Sequence, residues 1–364
     1  MRERRTASTD FESEEFDMNA ALKPLRTAAL TATLALGLAA PAAIAQDAVT
    51  DFYKGKTLRI VIGYAPGGGY DIYGRVFAEN FGRYMPGNPT VVAQNMTGAG
   101  SFLAAKYIYS VAPQDGTSFG SVAQTLPLDN AMSADQKDLD ASKMPYIGRL
   151  VSNVDLGAGV PGAKFKDFTD ARAREIVVGA TGAASPGYLL PVALNQYAGA
   201  KFKVVYGYKG SNDVLLAAER GEVDLIGSIG IATMLVRNPD WLLEKKAPIL
   251  YQAALTRHPL AQHVPALPEL ASSAQGKGVL TAIAASADIG RAVITTPNVP
   301  KERLAALRKA FNAMVADPAF LDAMKKRNIT IEPMTGEQVD EISNQTLKTP
   351  PNVLADVKKL LAVK

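Results

Sequence analysis

The chain contains no cysteine, and its 364 residues include only two histidines, His258 and His263. The first absence excludes disulfides, thiolate catalysis and every Cys-based metal site. Two histidines are too few for a His-rich metal centre. Their spacing of five would place them on different faces of a helix, and Pro259 and Pro265 argue against a helix there. No sign of charge dominates either. Thirty-nine Lys and Arg against 35 Asp and Glu give +4, with no basic block of the kind that tracks a phosphate backbone, so no nucleic-acid partner is expected. After the amino-terminal region no apolar run is long enough to span a bilayer. The remaining composition, 48% hydrophobic and 20% charged, is that of a globular protein of about two domains.

The amino terminus reads as processing information rather than fold. Residues 1–17 are polar and acidic, an unstructured leader from a start placed too early, with Met18 the better start. From there Lys23 and Arg26 form a basic region, Ala28–Ala40 an apolar one, and Ala43-Ile44-Ala45 a small-residue cleavage site before Gln46. At 1.5 Å per residue the apolar stretch reaches roughly 20 Å, short of the ~30 Å hydrocarbon core. A signal peptide over 18–45, export to the periplasm, and a mature chain from Gln46 are the expectations. No Cys follows the cleavage site for a lipid anchor.

Beyond Gln46, strand-like and helix-like stretches alternate. Thr57–Tyr64, Thr90–Gln94, Ser118–Ala123, Ile176–Ala180, Lys203–Tyr206 and Val223–Ile226 read as strands; Ile72–Tyr84, Phe102–Ser110 and Asn212–Arg220 read as helices. Such alternation predicts parallel sheet covered by helices. The carboxyl-terminal part differs, with helices over Glu302–Val315, Pro318–Arg327 and Gly336–Leu347, a capping box at Thr335-Gly-Glu-Gln338, and a last amphipathic helix after Pro350-Pro351. Composition marks no domain boundary. Strand-like segments near Tyr146–Gly159 and Leu280–Thr295 are places where the chain could cross between domains.

Several motifs invite a chemical reading. Gly116-Thr-Ser118-Phe-Gly120 matches the nucleophile elbow, but a turn precedes it and a strand follows, the reverse of the strand–turn–helix that exposes a catalytic serine. Ser118 reads as an ordinary strand residue, and a secreted hydrolase is the weaker alternative. Gly67-Gly68-Gly69 lacks the Lys-Ser/Thr ending of a phosphate loop and has Ile72 where a dinucleotide loop has its third small residue. It reads either as a plain turn or as a loop whose backbone N–H groups meet an anion at a helix start, with Asp71 as N-cap. Three more small-polar loops share that character: Thr181-Gly182-Ala183-Ala-Ser185, with Ser185 and Pro186 as N-cap and first helical residue and Pro191 pushing the regular helix on towards Tyr188; Tyr208-Lys-Gly210-Ser211, with Ser211 as cap and Gly221 after the helix; and Gly227-Ser228. Open α/β sheets bind ligands at such strand ends. No arginine lies within the four loops; Arg75, one turn past Asp71, is the nearest.

Taken in order, Val61-Ile-Gly-Tyr-Ala-Pro-Gly-Gly-Gly-Tyr-Asp71, Val92-Ala-Gln-Asn95 with Gly98-Ala-Gly-Ser101, Ala112-Pro-Gln-Asp-Gly116, Tyr206-Gly-Tyr-Lys-Gly210, Gly221-Glu-Val-Asp224 and Pro297-Asn-Val-Pro300 resemble the tripartite tricarboxylate transporter receptors, the Bug or TctC-type periplasmic solute-binding proteins. The resemblance implies an α/β, type II periplasmic-binding fold of two lobes joined by crossing strands, here 46–150 plus 286–364 against 151–285, with the ligand cleft between them. It implies a non-enzymatic, cofactor-free monomer that binds a small organic acid, such as a di- or tricarboxylate, an aromatic acid or an acidic amino acid, and serves a membrane permease; a receptor for a signalling partner is the other outlet. The implied ligand residues are Pro66, Gly67, Gly68, Gly69, Tyr70 and Asp71 of the first loop, with Gln124, Thr181, Gly182, Ala183, Ser185, Tyr208, Gly210, Ser211 and Ser228. The sequence departs from the family pattern at Ile226-Gly-Ser228 and in the sparsely polar Thr181–Ser185 loop, which leaves the identity of the acid open.

Overall fold

Why Thr57–Ile62 becomes a central strand is visible in its side chains. Five of its six residues are β-branched or leucine, and Leu58, Ile60, Val61 and Ile62 are buried, the signature of a parallel strand covered on both faces. Thr90–Asn95, by contrast, alternates exposed and half-buried residues, as an edge strand does. The computed structural model describes residues 47–132, 138–183 and 185–362. The expected leader and signal segment, 1–45, lies outside them. The described residues from Asp51 onward form one compact unit.

Eleven strands are described: β1 (Thr57–Ile62), β2 (Thr90–Asn95), β3 (Ser118–Ser121), β4 (Tyr146–Arg149), β5 (Asp155–Ala158), β6 (Ile176–Ala180), β7 (Phe202–Tyr206), β8 (Leu225–Gly230), β9 (Ile249–Ala253), β10 (Ala292–Thr295) and β11 (Met334–Thr335). They form two sheets, ordered β11-β4-β10-β3-β1-β2 and β7-β6-β8-β5-β9. The α/β class and the two-sheet, two-lobe architecture are as the sequence predicts. The expected parallel pairing holds for β1 with β2 and β3, and for β6 with β7 and β8. The strands next to the crossings, β10 in one sheet and β5 in the other, run antiparallel to their neighbours. The chain enters each sheet there from the other sheet rather than through a βαβ crossover, so nothing forces a parallel direction.

The helix Gly69–Phe81 carries Tyr73, Phe77 and Phe81 at four-residue spacing, all buried. Phe119 of β3 meets Phe77 and Phe81 edge-on, with centroids 5.5 and 5.8 Å apart. Burying each ring contributes roughly 1.5–3 kcal/mol. Gly74 lets this helix approach β1, since a Cβ there would stand 2.7 Å from Ile62 Cδ1. In the second sheet the helix Pro186–Ala198 lies equally close to β8. It begins at Pro186 and runs through Pro191, not from Tyr188 as the proline suggests. Pro191 removes the donor that would bond the Gly187 carbonyl. That oxygen instead faces Gly227, where a Cβ would stand only 2.3 Å away.

The segment Tyr146–Gly159 resolves into two strands, one per sheet, with the first crossing between Arg149 and Asp155. The return crossing is shorter than the expected strand over Leu280–Thr295: a helix, Ala274–Ala284, and a 3-10 turn occupy most of it before β10. The final helix, Pro351–Ala362, places Val357 and Leu360 in the core of the second sheet, beside Leu128 and Met132 from the short helix Leu126–Met132. Both helices thus lie across the division between the two sheets. The capping box at Thr335 and Gln338 forms as predicted.

Candidate functional site

Three helices start at one place. Gly69–Phe81, Pro186–Ala198 and Ser211–Glu219 begin beside a chamber of about 40 Å³, and Gly68, Gly69, Ser185, Pro186, Gly187 and Ser211 are on its wall. Among the described residues no side chain caps any of the three; their N-caps are Gly68, Ser185 and Gly210. Elsewhere the helices Phe168–Ala173, Ala274–Ala284, Pro318–Lys326 and Gly336–Leu347 are each capped by their own Asp, Ser or Thr side chain. Uncapped first-turn N–H groups and three positive dipole ends facing one chamber create a demand for an anion.

Two expected caps are reassigned by this geometry. Asp71 is not the N-cap of its helix but lies in the first turn, buried, accepting from the Gly67 N–H at 2.8 Å and from Asn95 Nδ2 at 2.8 Å. Arg75 Nε reaches both of its oxygens at 3.0 Å. Burial pushes the Asp71 carboxyl up, but the bonds from Arg75, Asn95 and Gly67 outweigh it and hold the carboxyl below its ordinary range. Asp71 therefore holds the glycine loop rather than facing the chamber. Ser211 is the first helical residue, not the cap, because Gly210 already has the extended cap conformation. Gly227-Ser228 is no loop; both residues lie inside β8, which carries Ser228 into the chamber wall.

Of the sequence-derived candidates, Gly68, Gly69, Tyr70, Thr181, Ser185, Ser211 and Ser228 line the inner chamber. Thr181, Gly182, Ala183 and Tyr208 line a second, outer cavity of about 590 Å³, whose wall is mostly apolar. Tyr64 and Thr181 belong to both walls, so the two spaces are contiguous. Pro66, Gly67, Asp71, Gln124 and Gly210 line neither. In the outer wall, burial raises the Asp129 carboxyl to about 7 against the pull of the Thr125 hydroxyl, which bonds it at 2.9 Å.

The chamber's cation comes from outside all four loops. Arg291, 6% exposed, stands at the start of β10, on the return crossing between the sheets. Its guanidinium lies 3.8 Å over the Tyr70 ring, which stacks in turn on Tyr64 at 4.6 Å. Asp155, the first residue of β5, faces the same chamber. It accepts from Asn153 Nδ2 at 2.8 Å and Gln124 Nε2 at 3.2 Å, so Gln124 acts through Asp155. Burial raises the Asp155 carboxyl, while Arg291 and the bonds from Asn153 and Ser228 oppose the rise. Sequence reasoning passed over both residues. The available signal was a charged residue against a buried apolar run, Val154-Asp155-Leu156 and Arg291-Ala292-Val293, in the two segments already marked as crossings.

The two sheets also touch beside the chamber. Ala65 N donates to the Lys209 carbonyl at 3.1 Å, Arg237 donates to the Gly67 carbonyl, and a Cβ on Gly68 would stand 2.8 Å from Ser211 Oγ. Ser118 lies in β3, where its carbonyl accepts from Thr295 Oγ1, and His258 caps a short turn by accepting from Leu260 N. None of these bonds links the serine to a histidine.

No protein-family model matches the chain. A curated UPF0065 protein of Cupriavidus necator is 32% identical over 209 residues, 54% of this chain; the matched stretch covers 60% of that relative's length. Among solved structures, the periplasmic binding protein BugD superposes with a TM-score of 0.64 at 19% identity, covering 85% of this chain and 98% of its own. The fold is that of the periplasmic solute-binding proteins. MatC of Rhodopseudomonas palustris, solved with bound malate, has the same TM-score at 17% identity, covering 84% of this chain and 99% of its own. The chamber wall draws on both sheets, with Gly69 and Arg291 beside strands of the first and Thr181, Ser211 and Ser228 in or beside strands of the second.

The Arg75–Asp71 pair gives a first test of these assignments. Arg75 is 43% exposed on its side chain and outside the chamber, so its pair is worth at most about 1 kcal/mol. Arg75→Ala is expected to weaken acid binding no more than about fivefold by titration calorimetry. A hundredfold loss would move the anion site to Arg75.

Proposed function

We propose that this protein is a periplasmic receptor of the Bug or TctC type that closes its two lobes on a small organic carboxylate and presents it to a permease of the tripartite tricarboxylate class. The observation that carries the reading is the inner chamber: three helix starts that no side chain caps among the described residues converge there with the buried Arg291 guanidinium, whose Nε has no hydrogen-bond partner among them. An Arg fork and helix N–H groups are complementary to a carboxylate in geometry as well as charge. In the proposed division 46–150 with 286–364 forms one jaw and 151–285 the other, except that Pro351–Ala362 is shared; closure turns on the crossings at 150–154 and 285–291. The family resemblance and the malate bound to the structural neighbour MatC support a carboxylate ligand. The segment 18–45 supports export. Catalysis is not part of the reading: Ser118 lies within β3 and His258 caps a separate short turn.

A thermal-shift screen of the mature chain against matched pairs tests it: succinate with succinamide, malate with malamide, benzoate with benzamide. An acid at 100 times its Kd is expected to add about 2.7 kcal/mol of stability, and its amide almost none. Equal shifts from acid and amide would exclude anion recognition.

A further inference from the structure

The carboxylate reading fills the inner chamber and leaves the outer cavity unassigned. That cavity continues from the chamber past Tyr64 and Thr181 and is far larger, about 590 Å³ against 40 Å³. A ligand whose carboxylate sits in the chamber has the rest of its body there. Ala99, Phe102, Leu126, Met132, Leu139 and Ala183 make the wall largely apolar. One acid interrupts it. Asp129, in the short helix Leu126–Met132, stands half-buried in the wall, and among the described residues the Thr125 hydroxyl, at 2.9 Å, is the one group bonded to its carboxyl. The charged groups around it are engaged elsewhere. Asp138 pairs with Lys106 at 2.7 Å, Glu337 and Asp340 pair with Arg308, and Asp356 pairs with Lys359. Lys209 belongs to the wall but is exposed to water. A carboxylate in an apolar wall without a cation costs stability, and such a group in a cleft is a mark of function.

We propose that Asp129 is a specificity-determining residue of the outer cavity: it rejects ligands with a second carboxylate at the far end, so that the receptor takes monocarboxylates of apolar body in preference to the di- and tricarboxylates that the resemblance implies. Two effects act together. The second carboxylate would leave water for a wall that offers no unpaired cation away from solvent. It would also meet the Asp129 charge in surroundings that screen it little. Selection by repulsion of this kind discriminates without any new contact to the favoured ligand. Burial raises the Asp129 carboxyl to about 7, so the repulsion is complete above that pH. It fades below, where the neutral acid can donate a hydrogen bond to the second carboxylate instead.

The inference rests on the carboxylate reading, and its test separates the two. Titration calorimetry on the mature wild-type chain compares four pairs that differ at the far end alone: hexanoate with adipate, octanoate with suberate, decanoate with sebacate, 4-methylbenzoate with terephthalate. At pH 8 the monoacid of the best-bound pair is expected to bind at least tenfold tighter. At pH 6, where the ligands remain largely ionised, the ratio should fall at least threefold, and Asp129→Asn should hold it at threefold or less at both pH values. Diacids that bind as well as or better than the monoacids in every pair at pH 8 would overturn this inference and leave the carboxylate reading standing. A preference unchanged by pH and by Asp129→Asn would assign it to the apolar wall and remove Asp129, and binding of no member of the panel would overturn both readings. The pH comparison on the wild type decides even if the variant fails to fold.

Discussion

Gly68→Val is expected to weaken binding at least about 100-fold, or 2.7 kcal/mol, while leaving the protein folded. Gly68 has φ −83° and ψ 172°, extended backbone open to any residue, so the substitution carries no conformational strain. The loss arises across the cleft. A Cβ at this position stands 2.8 Å from Ser211 Oγ in the opposite lobe, and valine adds two methyl groups beyond it. The lobes would then stop short of contact, and the Ala65–Lys209 and Arg237–Gly67 bonds beside it would stay open. If the two sheets separate at this point in the unliganded protein, the same valine meets nothing from the second sheet there, so the melting temperature should fall by no more than about 3 °C, the cost of a poorer N-cap. The measurement is calorimetry with whichever acid gives the largest shift in the screen, paired with a melting curve. A folded Gly68→Val protein of wild-type affinity would make the glycine loop a plain turn, remote from closure.

That loop illustrates how far the sequence can be read. Local rules located it: a β-branched run ends, glycines follow, and a periodic apolar stripe begins, so strand, turn and helix are each specified by residues within a few positions of one another. The same holds for Phe102–Ser110, Ile176–Ala180 and the Thr335 capping box, whose bounds agree with the structure. Errors arose where a distant group decides. Asp71 has the composition of an N-cap, but Arg75 and Asn95 engage its carboxylate, and Gly68 serves as the cap. Pro191 reads as a helix breaker until Gly227 and β8 are placed against the carbonyl it frees. Ser228 looks like a loop residue because Gly227 and Gly230 flank it, yet pairing with β5 keeps the strand going to Gly230. Arg291 and Asp155 are the extreme case. They are 136 positions apart, and only the two crossings, packed side by side, bring both to one chamber.

Helix starts alone are a weak anion trap. Each contributes about 0.3–1 kcal/mol, rising to ~2 when partly buried, so three supply at most about 6 kcal/mol, below the roughly 8 kcal/mol of micromolar binding. Arg291 supplies the difference, because a charge-assisted hydrogen bond adds about 1.5–3 kcal/mol. In the proposed receptor the crossing segments would then belong to the binding site as well as to the hinge.

Gly290→Ala tests that double role. Gly290 has φ +55°, a left-handed conformation that costs an L-residue about 1–2 kcal/mol. A Cβ there would also stand 2.3 Å from the Val151 carbonyl oxygen, 2.9 Å from Ser152 Cα and 3.0 Å from Asn153 N. All three are backbone atoms of the other crossing, so no side-chain rotation relieves the overlap, and forced repacking of this kind costs about 1–3 kcal/mol more. The expected destabilisation is roughly 2–5 kcal/mol by chemical denaturation. Gly162→Ala is the control: its φ is +85°, and nothing lies within 4 Å of the added Cβ. It bears the backbone cost alone, and the lower unfolded-state entropy of alanine enters both variants equally. The difference between the two isolates the contact between crossings. Because Arg291 follows Gly290 directly and Asn153 orients Asp155, Gly290→Ala protein that remains folded should also lose at least about tenfold in affinity, whereas Gly162→Ala should bind as the wild type does. If Gly290→Ala proves no less stable than Gly162→Ala, the two crossings are not packed as described, and the route by which Arg291 reaches the chamber fails with them.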